Sequence, residues 1–171
     1  MNLMKKKYFI VNLLYTAIFI LLLAIDRITK KIAVHQIMKH DVDLIPDVLS
    51  LHYLENRGAA WGWFQNATWL FVLVTVVVVI AMLYFYSHIP IERKYTLLRL
   101  SIIILSAGAV GNFIDRIMWH YVVDFIYIKC INFPVFNIAD CYVCVSAVLL
   151  LYCFLIKYKD VDFFGKRDRT N

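Results

Sequence analysis

Leu97-Leu-Arg-Leu-Ser-Ile-Ile-Ile-Leu-Ser-Ala-Gly-Ala-Val-Gly-Asn-Phe-Ile-Asp-Arg116 is an apolar run that closes on an amide, an acid and a base. It is long enough to approach the thickness of a bilayer as a helix. Its polar residues Asn112, Asp115 and Arg116 stand at i, i+3 and i+4, on one face. Gly108 and Gly111 keep that helix narrow, so that neighbours can come close. Three more runs share this character: Tyr8 to Ile25, Ala67 to Tyr86 and Ile138 to Ile156. The β-branched series Val76 to Ile80 lies in the second, where length and setting favour a helix over a strand.

Composition agrees. Of 171 residues 63% are hydrophobic and 18% charged, against about 45–50% and about 25% in soluble domains. That much apolar surface exceeds what one small core can hide in water. The expectation is an all-α membrane protein, a single domain over residues 1–171 with four transmembrane helices. The net charge of +6 does not form a nucleic-acid patch. Lys and Arg gather in the N-terminal tail, at Arg93, Lys94 and Arg99, and in the C-terminal tail at Lys157, Lys159, Lys166, Arg167 and Arg169. These three segments share one side of a four-span protein, and the positive-inside tendency assigns them, with both termini, to the cytoplasm.

The segments from Arg27 to Trp69 and from Ile117 to Asn137 are then extracytoplasmic. In the first, Asp47-Val-Leu-Ser-Leu-His-Tyr-Leu54 alternates like a strand and follows a turn at Pro46, which predicts a small β element on the membrane surface. Asp124 is expected in a loop after the third helix. Trp61, Trp63, Trp69 and Trp119 read as interfacial anchors. Three of the four cysteines fall in the last apolar run and read as small hydrophobes, and Cys141 and Cys144 lack partners for a four-ligand metal set.

Every helix delivers polar residues to the same end. Asp26 and Lys30 close the first helix, four residues apart; Asn56 and Gly58 precede the second; Asn137 and Asp140 open the fourth. Charge near lipid is costly, about 2.5–3.5 kcal/mol per residue at mid-membrane, so such a cluster marks a paired polar cavity. Lys30 and Arg116 can neutralise two of the acids Asp26, Asp115, Asp124 and Asp140, leaving a pair able to share a proton and activate water. Asp124 is hardest to explain otherwise, because Val122, Val123, Phe125 and Ile126 around it are apolar. A carrier would need access from both sides, whereas the inner halves of the spans read as free of ionisable groups; a non-enzymatic assembly factor would use the cluster only to lock the bundle.

Five segments in order, Asp26-Arg-Ile-Thr-Lys30, Asn56-Arg-Gly-Ala-Ala-Trp-Gly62, Gly111-Asn-Phe-Ile-Asp-Arg116, Val122-Val-Asp-Phe125 and Phe136-Asn-Ile-Ala-Asp140, resemble the bacterial lipoprotein signal peptidases, also called signal peptidase II. The resemblance implies an aspartic endopeptidase of the bacterial inner membrane. It would remove the signal peptide of diacylglyceryl-modified prolipoproteins before the lipidated cysteine, without metal or cofactor, and be blocked by globomycin. Asp124 and Asp140 would be the catalytic pair. Asn56, Asn112, Arg116, Asn137 and Ala139 would shape the site, and Asp26, Lys30 and Asp115 would support the polar network. Read from its residues alone, the small stretch Gly58-Ala-Ala-Trp-Gly62 is either a turn or a place that admits substrate backbone. Arg27, Trp61 and His120 depart from the residues common at those places, which are Gln, Phe and Gly, and the loop between Asp124 and Asn137 is a little short.

Overall fold

The computed structural model of the chain describes residues 3–58, 67–161 and 163. Four long apolar helices account for most of it: α1 (Leu3–Ile32), α2 (Thr68–His88), α3 (Thr96–Trp119) and α4 (Ile138–Tyr152). Turns of π-helix extend α1 over Ala33–Ile37 and α4 over Cys153–Lys157. With these extensions all four are long and apolar enough to cross a membrane. The β-branched run of α2 is helical throughout, as its length predicts.

α3 is the hub and packs against each of the other three. Its glycines make this possible. A Cβ on Gly108 would stand 2.5 Å from the Ala139 carbonyl oxygen of α4, and one on Gly111 would stand 2.6 Å from Asp26 Oδ2 of α1. One glycine therefore admits a neighbouring backbone, and the other admits a carboxylate.

A three-stranded antiparallel sheet, β1 (Val42–Ile45), β2 (Leu49–Asn56) and β3 (Val122–Ile128), covers one end of the bundle. Its last rungs align Leu54 with Asp124 and Asn56 with Val122. Asp47, in the turn after Pro46, adopts a left-handed conformation at φ 57°, which Asp tolerates. Val123 and Phe125 of β3 bury against Ala33 and Ile37 of the α1 extension. At the opposite end, Met82, Leu98, Ile102 and Cys153 form a second apolar cluster.

Four expectations are corrected. α1 does not close at Asp26 and Lys30 but runs on for a further turn, because the two charges pair within the helix and its backbone bonds continue past them. Asp124 stands on a strand and not in a loop: Val122–Ile128 is nearly continuous in apolar residues, as a strand covered on both faces is. The small β element is present, but the expected strand Asp47–Leu54 begins two residues later and ends at Asn56, paired with β1, which is exposed along its length. Finally, the inner halves of the spans are not free of ionisable groups, because Arg99 lies within α3. It is buried in α3, donates to the carbonyls of Ile89 and Pro90, and stacks 4.5 Å from the Tyr86 ring, so the end of the bundle remote from the sheet does hold an ionisable group. Trp69 and Trp119 are exposed, while Trp61 and Trp63, like Lys166, Arg167 and Arg169, lie outside the described residues.

The glycine contacts set a graded expectation. Gly108→Ala pushes a methyl group onto a backbone oxygen that has no rotamer to move, so its thermal midpoint in detergent falls further than that of Gly111→Ala. Both lose about 1–3 kcal/mol or more, in the range of overpacked cores. A Gly108→Ala protein as stable as the parent would contradict the packing of α3 on α4.

Candidate active site

The polar end of the bundle is organised around Lys30. Its side chain has no exposure; it donates to Asn112 Oδ1 at 2.8 Å and forms ion pairs with Asp115 Oδ2 at 2.8 Å and Asp26 Oδ2 at 3.2 Å. Asp26 and Asp115 are equally buried. Asp115 also accepts from the backbone N–H of Val123 at 3.3 Å and forms an ion pair with Arg27. A buried acid with two cations and a backbone donor is well compensated, which answers the cost of burying it.

The amides carry this order onward. Asn112 Oδ1 accepts from Lys30, so its Nδ2 is the end left to donate, and it meets Asp140 Oδ1 at 2.8 Å. Asn137 Nδ2 donates to Asn112 Oδ1 at 3.1 Å and to Asp124 Oδ1 at 2.6 Å. Asn56 Nδ2 donates to the other oxygen of Asp124 at 2.8 Å. Asn137 and Asp140 also form a reciprocal cap at the start of α4: the Asn137 side chain accepts from Asp140 N–H at 3.1 Å, and Asp140 Oδ2 accepts from Asn137 N–H at 3.0 Å. Asn137 is thus hydrogen-bonded to both aspartates at once.

Asp124 is 1% exposed, and its carboxyl is pushed up to about 7. Burial is the main cause and the nearby charge of Asp140 the second; the donors Asn56 and Asn137 and the charge of Lys30 oppose the rise. Asp140 is only partly buried.

The remaining residues singled out by sequence fall around this chain of bonds. Arg116 lies 3.4 Å from the Asn112 carbonyl and 3.5 Å from the Gly58 carbonyl, and it stacks 4.7 Å from the Phe71 ring of α2. Gly58 is buried, and its N–H donates to Asn56 Oδ1 at 3.0 Å. Ala139 is buried against Gly108 and Gly111 of α3. Residues 59–62 of the small-residue stretch lie outside the described residues. Asp115 pairs with Lys30 and Arg27 instead of with its neighbour Arg116.

Sequence reasoning noted Arg27 only as a departure and gave it no role, yet it binds Asp115 and lies 5.3 Å over the Trp119 ring. No spacing rule could have found a partner 88 positions away. His120 has φ 63°, which explains why glycine suits this place: the chain leaves α3 through a left-handed turn. Its carbonyl accepts from Thr68 Oγ1 at 3.0 Å, tying the end of α3 to the start of α2. All four cysteines are free, and Cys144 is exposed on α4.

Comparison with known proteins agrees with this architecture. The family model described as Signal peptidase (SPase) II matches residues 18–156. A lipoprotein signal peptidase of Streptococcus pyogenes serotype M1 is 38% identical over 164 residues, covering 94% of this chain and 99% of its relative. That of serotype M5 (strain Manfredo) is 37% identical over the same shares. Two bacterial membrane enzymes solved by the in meso method superpose with TM-scores of 0.75 and 0.71, at 30% and 32% identity, covering 92% and 86% of this chain and 93% and 94% of theirs. Four apolar spans, a capping sheet and these matches make the chain a multi-pass bacterial membrane protease that belongs to the signal peptidase II family.

Proposed function

We propose that the chain is an aspartic endopeptidase whose catalytic pair is Asp124 and Asp140, and that it removes the signal peptide of diacylglyceryl-modified prolipoproteins by cleaving before the lipidated cysteine. The observation that carries this reading is the double engagement of Asn137, which donates to Asp124 at 2.6 Å and is capped reciprocally with Asp140. One residue that donates to the β3 acid through its side-chain amide and to the α4 acid through its backbone N–H keeps both carboxyls in one small space, where both cannot readily ionise.

With one proton shared, the ionised member takes a proton from water as the water attacks the scissile carbonyl. The protonated member then delivers a proton to the leaving amine. Asp124 suits the protonated role, because burial and the charge of Asp140 hold its carboxyl at about 7. Asn56, Gly58, Asn112, Arg116, Asn137 and Ala139 hold the pair and the substrate backbone. Asp26, Lys30 and Asp115 hold those residues in turn. A lipidated substrate enters sideways from the bilayer with its acyl chains still in lipid, which suits a polar site between apolar helices. The clustering of Lys and Arg at the ends away from the sheet supports cytoplasmic termini and a site near the extracytoplasmic face. Globomycin is the inhibitor expected of such a site.

In a purified cleavage assay on a diacylated precursor, Asp124→Asn and Asp140→Asn each abolish product while the proteins remain folded. Full activity in either removes that residue from the pair. The pH profile supplies a second check. Activity requires the shared proton, so rate falls as pH rises through about 7, where Asp124 loses it. Asn56 stabilises the ionised form of Asp124 by donating to it. Asn56→Ala therefore raises the Asp124 value further and moves the alkaline limb to higher pH; a limb that stays in place or moves down would contradict the assignment.

A further inference from the structure

Four side chains outside this mechanism form a continuous stack along the sheet end of the bundle. The Arg27 guanidinium lies 5.3 Å from the centre of the Trp119 ring. The Trp119 and Tyr121 rings stack with centroids 6.2 Å apart and 28° between their planes. The Arg57 guanidinium lies 5.5 Å from the centre of Tyr121. Each end is held by an acid: Arg27 by Asp115, and Arg57 by Glu55 at 3.0 Å.

The stack depends on the turn at His120. Residues two apart on a helix point about 200° away from each other, so a continued α3 would set Trp119 and Tyr121 on opposite faces. The left-handed residue between them, φ 63°, turns the chain and brings the two rings together. A bulky residue held in that conformation is the kind of local strain that accompanies a positional demand.

Both ends of the stack lead to Asp124. Arg57 sits between Asn56, whose amide donates to Asp124 at 2.8 Å, and Gly58, whose N–H donates to Asn56 Oδ1 at 3.0 Å. Asn56 is the last residue of β2, a place where strand pairing ordinarily frays. Arg27 binds Asp115, which in turn accepts from the N–H of Val123, the residue preceding Asp124. The geometry points to a positioning device: the Arg27–Trp119–Tyr121–Arg57 stack, closed by the turn at His120, pins the end of β2 so that Asn56 stays on Asp124. The role rests on the proposed aspartate pair, and its four members are positioning residues that touch neither substrate nor the reacting atoms.

Arg57 offers the cleanest test, since its side chain is 51% exposed and its loss leaves no buried gap. Kinetics of the full-length protein on a diacylated lipopeptide are measured across pH for Arg57→Ala, Arg57→Lys, Asn56→Ala and the double variant, with Asp124→Asn alongside. Asp124 is also faced by Asp140 from α4, by Lys30 from α1 and by Arg116 from α3, all left intact in the Arg57 and Asn56 variants. Arg57→Ala is expected to lower kcat about tenfold with KM nearly unchanged, as misplacement of a catalytic group does. It also moves the alkaline limb upward, as Asn56→Ala does. Arg57→Lys, which keeps a cation over Tyr121, recovers part of the loss. Because both changes act through one contact, the double variant behaves like Asn56→Ala alone. A parent-like rate and limb in Arg57→Ala, or an equal loss whether or not Asn56 is present, overturns the positioning role. Parent-rate cleavage by Asp124→Asn instead overturns the aspartate pair, while the coupling between Arg57 and Asn56 is still read from kcat.

Discussion

Lys30 carries a positive charge into the interior of a bundle built for lipid, and the arrangement around it follows from the need to meet that charge. Its ammonium group pairs with the carboxylates of Asp26 on its own helix and Asp115 on α3, and donates to Asn112 on α3. A buried cation that lost one of these partners would leave another group uncompensated, which is far more costly than never burying the pair. The requirement brings α1 against α3 at one register. It also orients Asn112: with its oxygen committed to Lys30, the amide nitrogen must face Asp140. A single charge thus determines which way the neutral side chain bonded to it points.

Because lipid gives helices little reason to associate through apolar contact alone, close approach and polar bonds have to do so. Gly108 and Gly111 provide the approach, and the network just described provides the bonds. The two features meet at Asp26, whose carboxylate occupies the space that a side chain at position 111 would fill. Arg99 plays a comparable part at the far end, where it joins α3 to the carbonyls that follow α2 and lies between Tyr15 and Tyr86.

The helices were legible because a span is long, and length survives errors at either end. The reading of Asp26 and Lys30 as a helix terminus failed for a specific reason: it treated charge as a stop signal, whereas a pair four residues apart can be buried inside a continuing helix. Asp124 was legible as an oddity among apolar neighbours but not as part of a strand, since β3 is recognisable only once β2 lies beside it. The convergence of Asn56, Asn112, Asn137 and the acids could be read from which helix end each occupies. Which acid each amide holds could not, because those bonds join segments 13 to 68 positions apart. Arg27 and Arg57 were passed over for the same reason, as their partners become visible only in three dimensions.

The reciprocal cap between Asn137 and Asp140 has a thermodynamic corollary. Asp140 Oδ2 is the acceptor that holds the backbone N–H of the capping residue Asn137 at the start of α4, so the carboxylate serves as a hinge pin for that turn. Any molecule that draws this oxygen toward itself loosens the first turn of α4 by the same act. The position of this oxygen and the winding of the helix are therefore linked equilibria.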